Sequence, residues 1–290
     1  MELVLPAVVA LGVAVLAGLV PLPLRPDVAV PVLTILTGVA GGLVIIMLTV
    51  VSIGFVGGQS VVSALLESCP AVPIHHRVDW TVGVPALVGL VVATARIRHV
   101  VRDRRRAIAA TQGRRVAIVE EATPVAFAAP GSPGCVVISS GLLGMLAPRE
   151  RQVVFAHERA HLDQGHHRYL LVAALSTAVM PLLRPVADRI RHATERCADE
   201  AAVASMGGDR ELVATAIARV ALAGTANSTT AAFGGGSVPA RVGALLGAQP
   251  DPARTSLGLL VAAPFSIGII AAFTIQLHHL VELIAHVCGR

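Results

Sequence analysis

Residues 148–162 read PRERQVVFAHERAHL, and the way this stretch folds sets the class of the protein. Pro148 suits the first turn of a helix, and Glu150 puts an acid near its positive end. The spacing predicts a helix running through Val153, His157 and His161 towards Gly165. Positions i and i+4 share a helix face, so His157 and His161 can grip one metal ion. A His/His/carboxylate set favours Zn²⁺ and leaves one coordination position open. Glu158 is placed to act as general base there, taking a proton as water attacks a polarised carbonyl. The flank at 153–156 is apolar and buries the helix, and two histidines and a glutamate buried beside it need a partner.

Downstream, a second helix is expected after Pro185, ending at Gly207-Gly208. Asp209 caps a third, which ends near Gly224. Glu195 and Asp199 stand at i and i+4 on the second helix, so both can face the first. Glu195 is the expected third zinc ligand, and Asp199 the residue that orients a ligand ring from behind. The rival is His167, six residues after His161, as in the HExxHxxGxxH spacing. That pattern wants Gly three after the second His, where this chain has Gln164. His166 and His167 then read as interfacial polar residues at the helix end. Upstream, 116–120, 125–128 and 135–139 are short runs separated by turn residues, predicting a small sheet of about three strands. Residues 225–237 read as a loop.

Outside this stretch the sequence is strongly apolar. Of 290 residues, 54% are hydrophobic and 14% charged, with mean hydropathy +0.74. Soluble domains carry about 25% charged residues. A disordered chain is excluded, and four cysteines are too few for a disulfide scaffold. All 23 basic residues are Arg. Uncharged runs predict spans at about 3–24, 32–56 and 80–97, with a fourth near 256–277. The run at 169–183 would reach only about 22 Å as a helix. It is expected to be buried or partly embedded, because a full crossing would part Glu195 from His157. Residues 96–115 hold eight arginines against Asp103 alone, which places this segment in the cytoplasm and against anionic lipid. A nucleic-acid role is set aside because the cluster abuts a span.

The expected architecture is therefore mainly α. Three transmembrane helices occupy 1–95, a cytoplasmic α+β zinc-peptidase domain with a small sheet occupies 96–255, and a fourth helix with a short outer tail occupies 256–290. The topology puts Cys69 and Cys288 on the outer side with His75, His76, His278, His279 and His286. A Cys69–Cys288 disulfide, or metal binding by these histidines, is an expectation of that layout. Cys135 and Cys197 stay inside.

The segments VVISSGLLGML, PRERQVVFAHERAHL and ERCADEAA resemble the gluzincin membrane peptidases of the BlaR/MecR type and the related HtpX proteases. The resemblance covers about 116–246 and the layout of spans. It implies a zinc endopeptidase whose active site lies near the membrane on the cytoplasmic side. It also implies that a strand at about 136–139 pairs with an extended substrate. Two departures stand out: the large extracytoplasmic penicillin-binding sensor of the BlaR/MecR receptors is not expected in this chain, and Cys197 precedes Asp199 by two. Arg241 is similar to an arginine that follows the catalytic core in HtpX-like relatives, and could steady the oxyanion or a substrate carbonyl. His192 and Tyr169 are further candidates for that role. The leading expectation is signalling-type cleavage of a cytoplasmic protein, such as a transcriptional repressor, or of the chain itself. Quality-control proteolysis is the alternative. A receptor or scaffold with a structural zinc is the reading from a different class.

Overall fold

The computed structural model describes residues 4–20, 24–57, 78–110, 114–227 and 238–247, with isolated positions at 271, 274, 275 and 278. Among the described residues three helices come first: α1 (Val4–Leu19), α2 (Pro26–Gly57) and α3 (Trp80–Ala110). Of these, α2 and α3 are long and apolar enough to cross a membrane. The expected first span is realised as the 16-residue α1, about 24 Å long at 1.5 Å per residue, short of a hydrocarbon core of about 30 Å. The second helix begins earlier than expected, at Pro26, where Asp27 occupies the first turn and pairs with Arg25 at 3.0 Å. The third runs on through the arginine cluster, since nothing from 86 to 110 but Gly89 opposes a helix. Residues 256–270 of the expected fourth span, and Cys69 and Cys288, lie outside the described residues.

Gly83 lies against Phe55 and Gly89 against Leu48, so α2 and α3 run antiparallel. Val82, Val84, Val88 and Val91 on α3 are exposed, an apolar outer surface of the kind that faces lipid or a partner. On the inner side, Ala10, Ala14, Leu33 and Leu43 pack with Leu183, Val186 and Ile190. α1 approaches so closely that a Cβ on Gly18 would stand 2.5 Å from the backbone N of Val186.

The sheet matches the three expected runs: β1 (Val116–Val119), β2 (Ala126–Ala129) and β3 (Cys135–Ser139). Its order is β1-β3-β2, with β1 parallel and β2 antiparallel to β3. All five residues of β3 are buried. This corrects the expected role of 136–139. That strand is central and paired on both sides, so it has no edge to offer a peptide; the outer edge of β2 has no strand paired to it among the described residues.

After the short α4 (Ser140–Met145) comes α5 (Pro148–Asp163), the helix of the HExxH stretch. Pro148 starts it, and the buried Glu150 carboxylate accepts from the Ala147 N–H at 2.8 Å. Val154 packs beneath the sheet with Val136 and Ile138. Val153 packs on the opposite side with Ala202, Val213 and Ile217. Gly165, at φ 63°, turns the chain directly into α6 (His166–Val179). This backbone region is open to Gly at little cost. α6 packs against α2, α3 and α7 and brings the chain back on the same side, so the 169–183 run does not carry Glu195 away from His157. α7 (Arg184–Ser205), α8 (Arg210–Asn227) and α9 (Val238–Leu246) follow, and Asp209 Oδ1 accepts from the Leu212 N–H at the start of α8 (3.0 Å). α7 is shared: Val186 and Ile190 belong to the core with α1 and α2, Ala202 and Val203 to the core around α5.

Candidate metal centre

Crossing α5 with α7 brings His157, His161 and Glu195 together, their ligand atoms all within 4.8 Å of one another. His157 Nε2 is 3.2 Å from His161 Nε2, and each lies 3.5 Å from one oxygen of Glu195. A tetrahedral zinc with bonds of about 2.0–2.1 Å sets its ligands about 3.3–3.4 Å apart. The three side chains thus already stand at the edges of such a tetrahedron. His167 is not part of this cluster: it lines the same cavity, but its backbone carbonyl accepts from Arg104 (2.9 Å) at the arginine-rich end of α3.

Asp199 lies behind His157, its Oδ1 3.1 Å from Nδ1. The contact pairs the carboxylate with the ring and favours the charged form of His157. Arg241, from α9, clamps both carboxylates. Its Nε and Nη2 donate to the two Asp199 oxygens at 2.8 and 2.6 Å, and Nη1 stands 2.9 Å from Glu195. Burial alone would raise the Glu195 pKa, but His157, Arg241 and His161 outweigh it and hold Glu195 at about 2. Burial likewise opposes charge on His157, yet Asp199 and Glu195 carry it up to about 9. The carboxylates thus demand positive charge at His157, which a bound cation would supply in place of the proton.

Glu158 faces the cavity from α5. Burial pushes its carboxyl up to about 6, while the Ala128 backbone N–H on β2 favours the ionised form. A carboxylate poised near neutrality is suited to taking up and releasing a proton. The cavity measures about 300 Å³ and is bounded by β2 (Ala126, Phe127, Ala128), by His157, Glu158 and His161, and by Leu170 of α6.

Other candidates fall elsewhere. Tyr169 packs with the core shared by α1 and α2, away from the cavity. His192 lines a separate cavity with Arg189 and Arg196. Neither lines the cavity beside Glu158. Arg241 reaches the centre, but its nitrogens are engaged by Glu195 and Asp199, so it positions ligands rather than offering a free oxyanion donor. Breaking a buried ion pair by removing one partner costs about 3–5 kcal/mol. Arg241→Ala is therefore expected to destabilise by that amount and Arg241→Lys by less, as measured by denaturant unfolding.

His166, expected to be an interfacial residue at the helix end, belongs instead to the centre. His166 is 2% exposed, with Nδ1 2.9 Å from His161 Nδ1 and Nε2 3.1 Å from Gln164 Oε1. With the His161 Nε2 lone pair directed at the cluster, its Nδ1–H donates to His166, which passes its own N–H to Gln164. The sequence signal was Gly165: a left-handed residue there folds the next turn back onto the ligand helix.

An HExxH helix crossed by a second helix that supplies a glutamate is the arrangement of a metallopeptidase. Residues 93–246 match the model of peptidase family M48, more than half the chain, and the chain belongs to that family. Among similar proteins are a "Protease HtpX homolog" of Ralstonia nicotianae (strain ATCC BAA-1114 / GMI1000), 36% identical over 76 residues, and another of Ralstonia pickettii (strain 12J), 34% identical over 76 residues. Each alignment covers 26% of this chain and 26% of the relative, so the chain spans about a quarter of the length of these curated relatives. No solved structure matches. The two long apolar helices, with the likeness to HtpX homologues, point to a membrane protein.

Proposed function

We propose that the chain is a membrane-embedded zinc endopeptidase with its active site at the cytoplasmic face of the membrane. The observation that carries this reading is the three-donor cluster of His157, His161 and Glu195 opening, beside Glu158, onto a cavity bordered by β2. Bound zinc would polarise the scissile carbonyl and make water more acidic. Glu158 would accept the proton from the attacking water and deliver it to the leaving amine. An extended substrate would add to β2 through main-chain hydrogen bonds, its scissile bond lying over the cavity. A structural zinc, as in the scaffold reading, would close all four positions with protein ligands; here three donors face open space.

His166 would hold the His161 ring in the tautomer that leaves Nε2 free for the metal. Loss of such an outer partner typically weakens metal affinity about 10–100-fold. His166→Ala is expected to show that loss in zinc titration against a chelator, with the helical circular dichroism unchanged.

Two biological roles use this site. Signalling cleavage of a cytoplasmic repressor is the first, favoured by resemblance to BlaR/MecR peptidases. Quality-control proteolysis of membrane proteins is the second, favoured by the likeness to HtpX homologues. Comparative proteomics of cells carrying wild type or Glu158→Gln separates them. One or a few lost cleavage products support signalling, whereas a broad rise of membrane proteins supports quality control. Unchanged proteomes would count against both.

A further inference from the structure

A second cavity, of about 130 Å³, lies away from the peptidase centre and takes no part in its chemistry. Arg189, His192 and Arg196 of α7 form one wall, and Leu24, Pro26, Ala29 and Leu33 of the α1–α2 turn and α2 form the other. The basic positions follow an i, i+3, i+7 pattern and so share a helix face. Arg189 is anchored: its Nη1 donates to the carbonyls of Ala17 (2.9 Å) and Val20 at the end of α1. Arg196 has no carboxylate partner among the described residues, and among them no acid lines the cavity. Burial and the neighbouring Arg196 hold His192 below its usual pKa, so at neutral pH it offers one neutral N–H.

The position of this cavity narrows the choice of ligand. Because α2 and α3 run antiparallel, the Pro26 end of α2 lies level with the arginine-rich end of α3. That end of two long apolar helices is the water–lipid boundary on the side that positive residues favour. A pocket with a cationic wall and an apolar wall at such a boundary suits an anion that carries a hydrocarbon tail.

We propose that this cavity binds the phosphate of an anionic membrane phospholipid, with the first part of the acyl chains lying along Ala29 and Leu33. The proposal rests on the membrane reading above. An occupied site would also tie the α1–α2 turn to α7, the helix that carries Glu195.

Native mass spectrometry of the detergent-solubilised full chain tests it, using phosphatidylglycerol, phosphatidylcholine and inorganic phosphate as probes. One phosphatidylglycerol should be retained per chain in preference to phosphatidylcholine, and inorganic phosphate should not displace it. Arg196→Gln should weaken retention about fivefold, the effect of one basic contact at an anionic surface. Arg105→Gln, on the exposed arginine stretch of α3, should not. Zinc content and circular dichroism equal to wild type check that the variants are folded. If Arg196→Gln does not fold, Ala29→Leu, which fills the apolar wall, should weaken retention instead. Equal retention by variant and wild type, no preference over phosphatidylcholine, or displacement by inorganic phosphate each overturns the site. Release of the chain from membranes by alkaline carbonate would overturn the membrane reading and this site with it. Firm insertion with variant-insensitive lipid binding overturns this site alone.

Discussion

Glu158→Gln is expected to keep its metal and to lose peptide cutting by about 10²–10⁴-fold, the usual scale of a general base. The two side chains have nearly the same shape, so α5 and its neighbours should be undisturbed. His157, His161 and Glu195 supply the cluster without it. The difference lies in the proton: a carboxylate can take one from water and an amide cannot. Its burial, which pushes the carboxyl up to about 6, brings it close to the pH at which such transfer is efficient. Stopped-time cleavage of an unstructured protein substrate, with zinc measured on the same preparation, checks both halves. Near-normal cutting would remove Glu158 from the mechanism, and loss of zinc would mean its role is structural.

The second large effect concerns the third ligand. Glu195→Ala should all but abolish zinc binding at micromolar metal, while His167→Ala should retain most of it. In the structure Glu195 stands 3.5 Å from both ligand nitrogens, and His167 lies outside the cluster. Removing a direct ligand should exceed the 10–100-fold loss typical of outer partners. It also leaves Arg241 without one of its carboxylates, so some destabilisation should accompany the loss. Metal analysis of both purified variants decides the matter, and the reverse ranking would restore the three-histidine reading.

Much of this arrangement could be read from local pattern, because the physics involved is local. His157, Glu158 and His161 sit on one helix, and helix geometry alone puts i and i+4 on one face. Pro148, Gly165, Pro185 and Asp209 mark element ends through backbone chemistry that needs no neighbours. The strands at 116–119, 126–129 and 135–139 show through their short apolar runs and the turns between them. What tertiary structure decided was every question of which face meets which. Strand order was one: three short runs are compatible with several orders, and only the pairing of β3 on both sides put β2 at an edge. The fates of Arg241, His192 and Tyr169 were others: Arg241, distant in sequence, closes on Glu195 and Asp199, whereas His192, three residues before Glu195, lines a separate cavity and Tyr169 packs with the core of α1 and α2. His166 shows the reason most plainly. On its helix it is an unremarkable first-turn residue, and only the reversal at Gly165 sets its ring 2.9 Å from His161. A side chain's direction within its own element follows from periodicity, whereas its partner across elements depends on crossing geometry that no local spacing encodes.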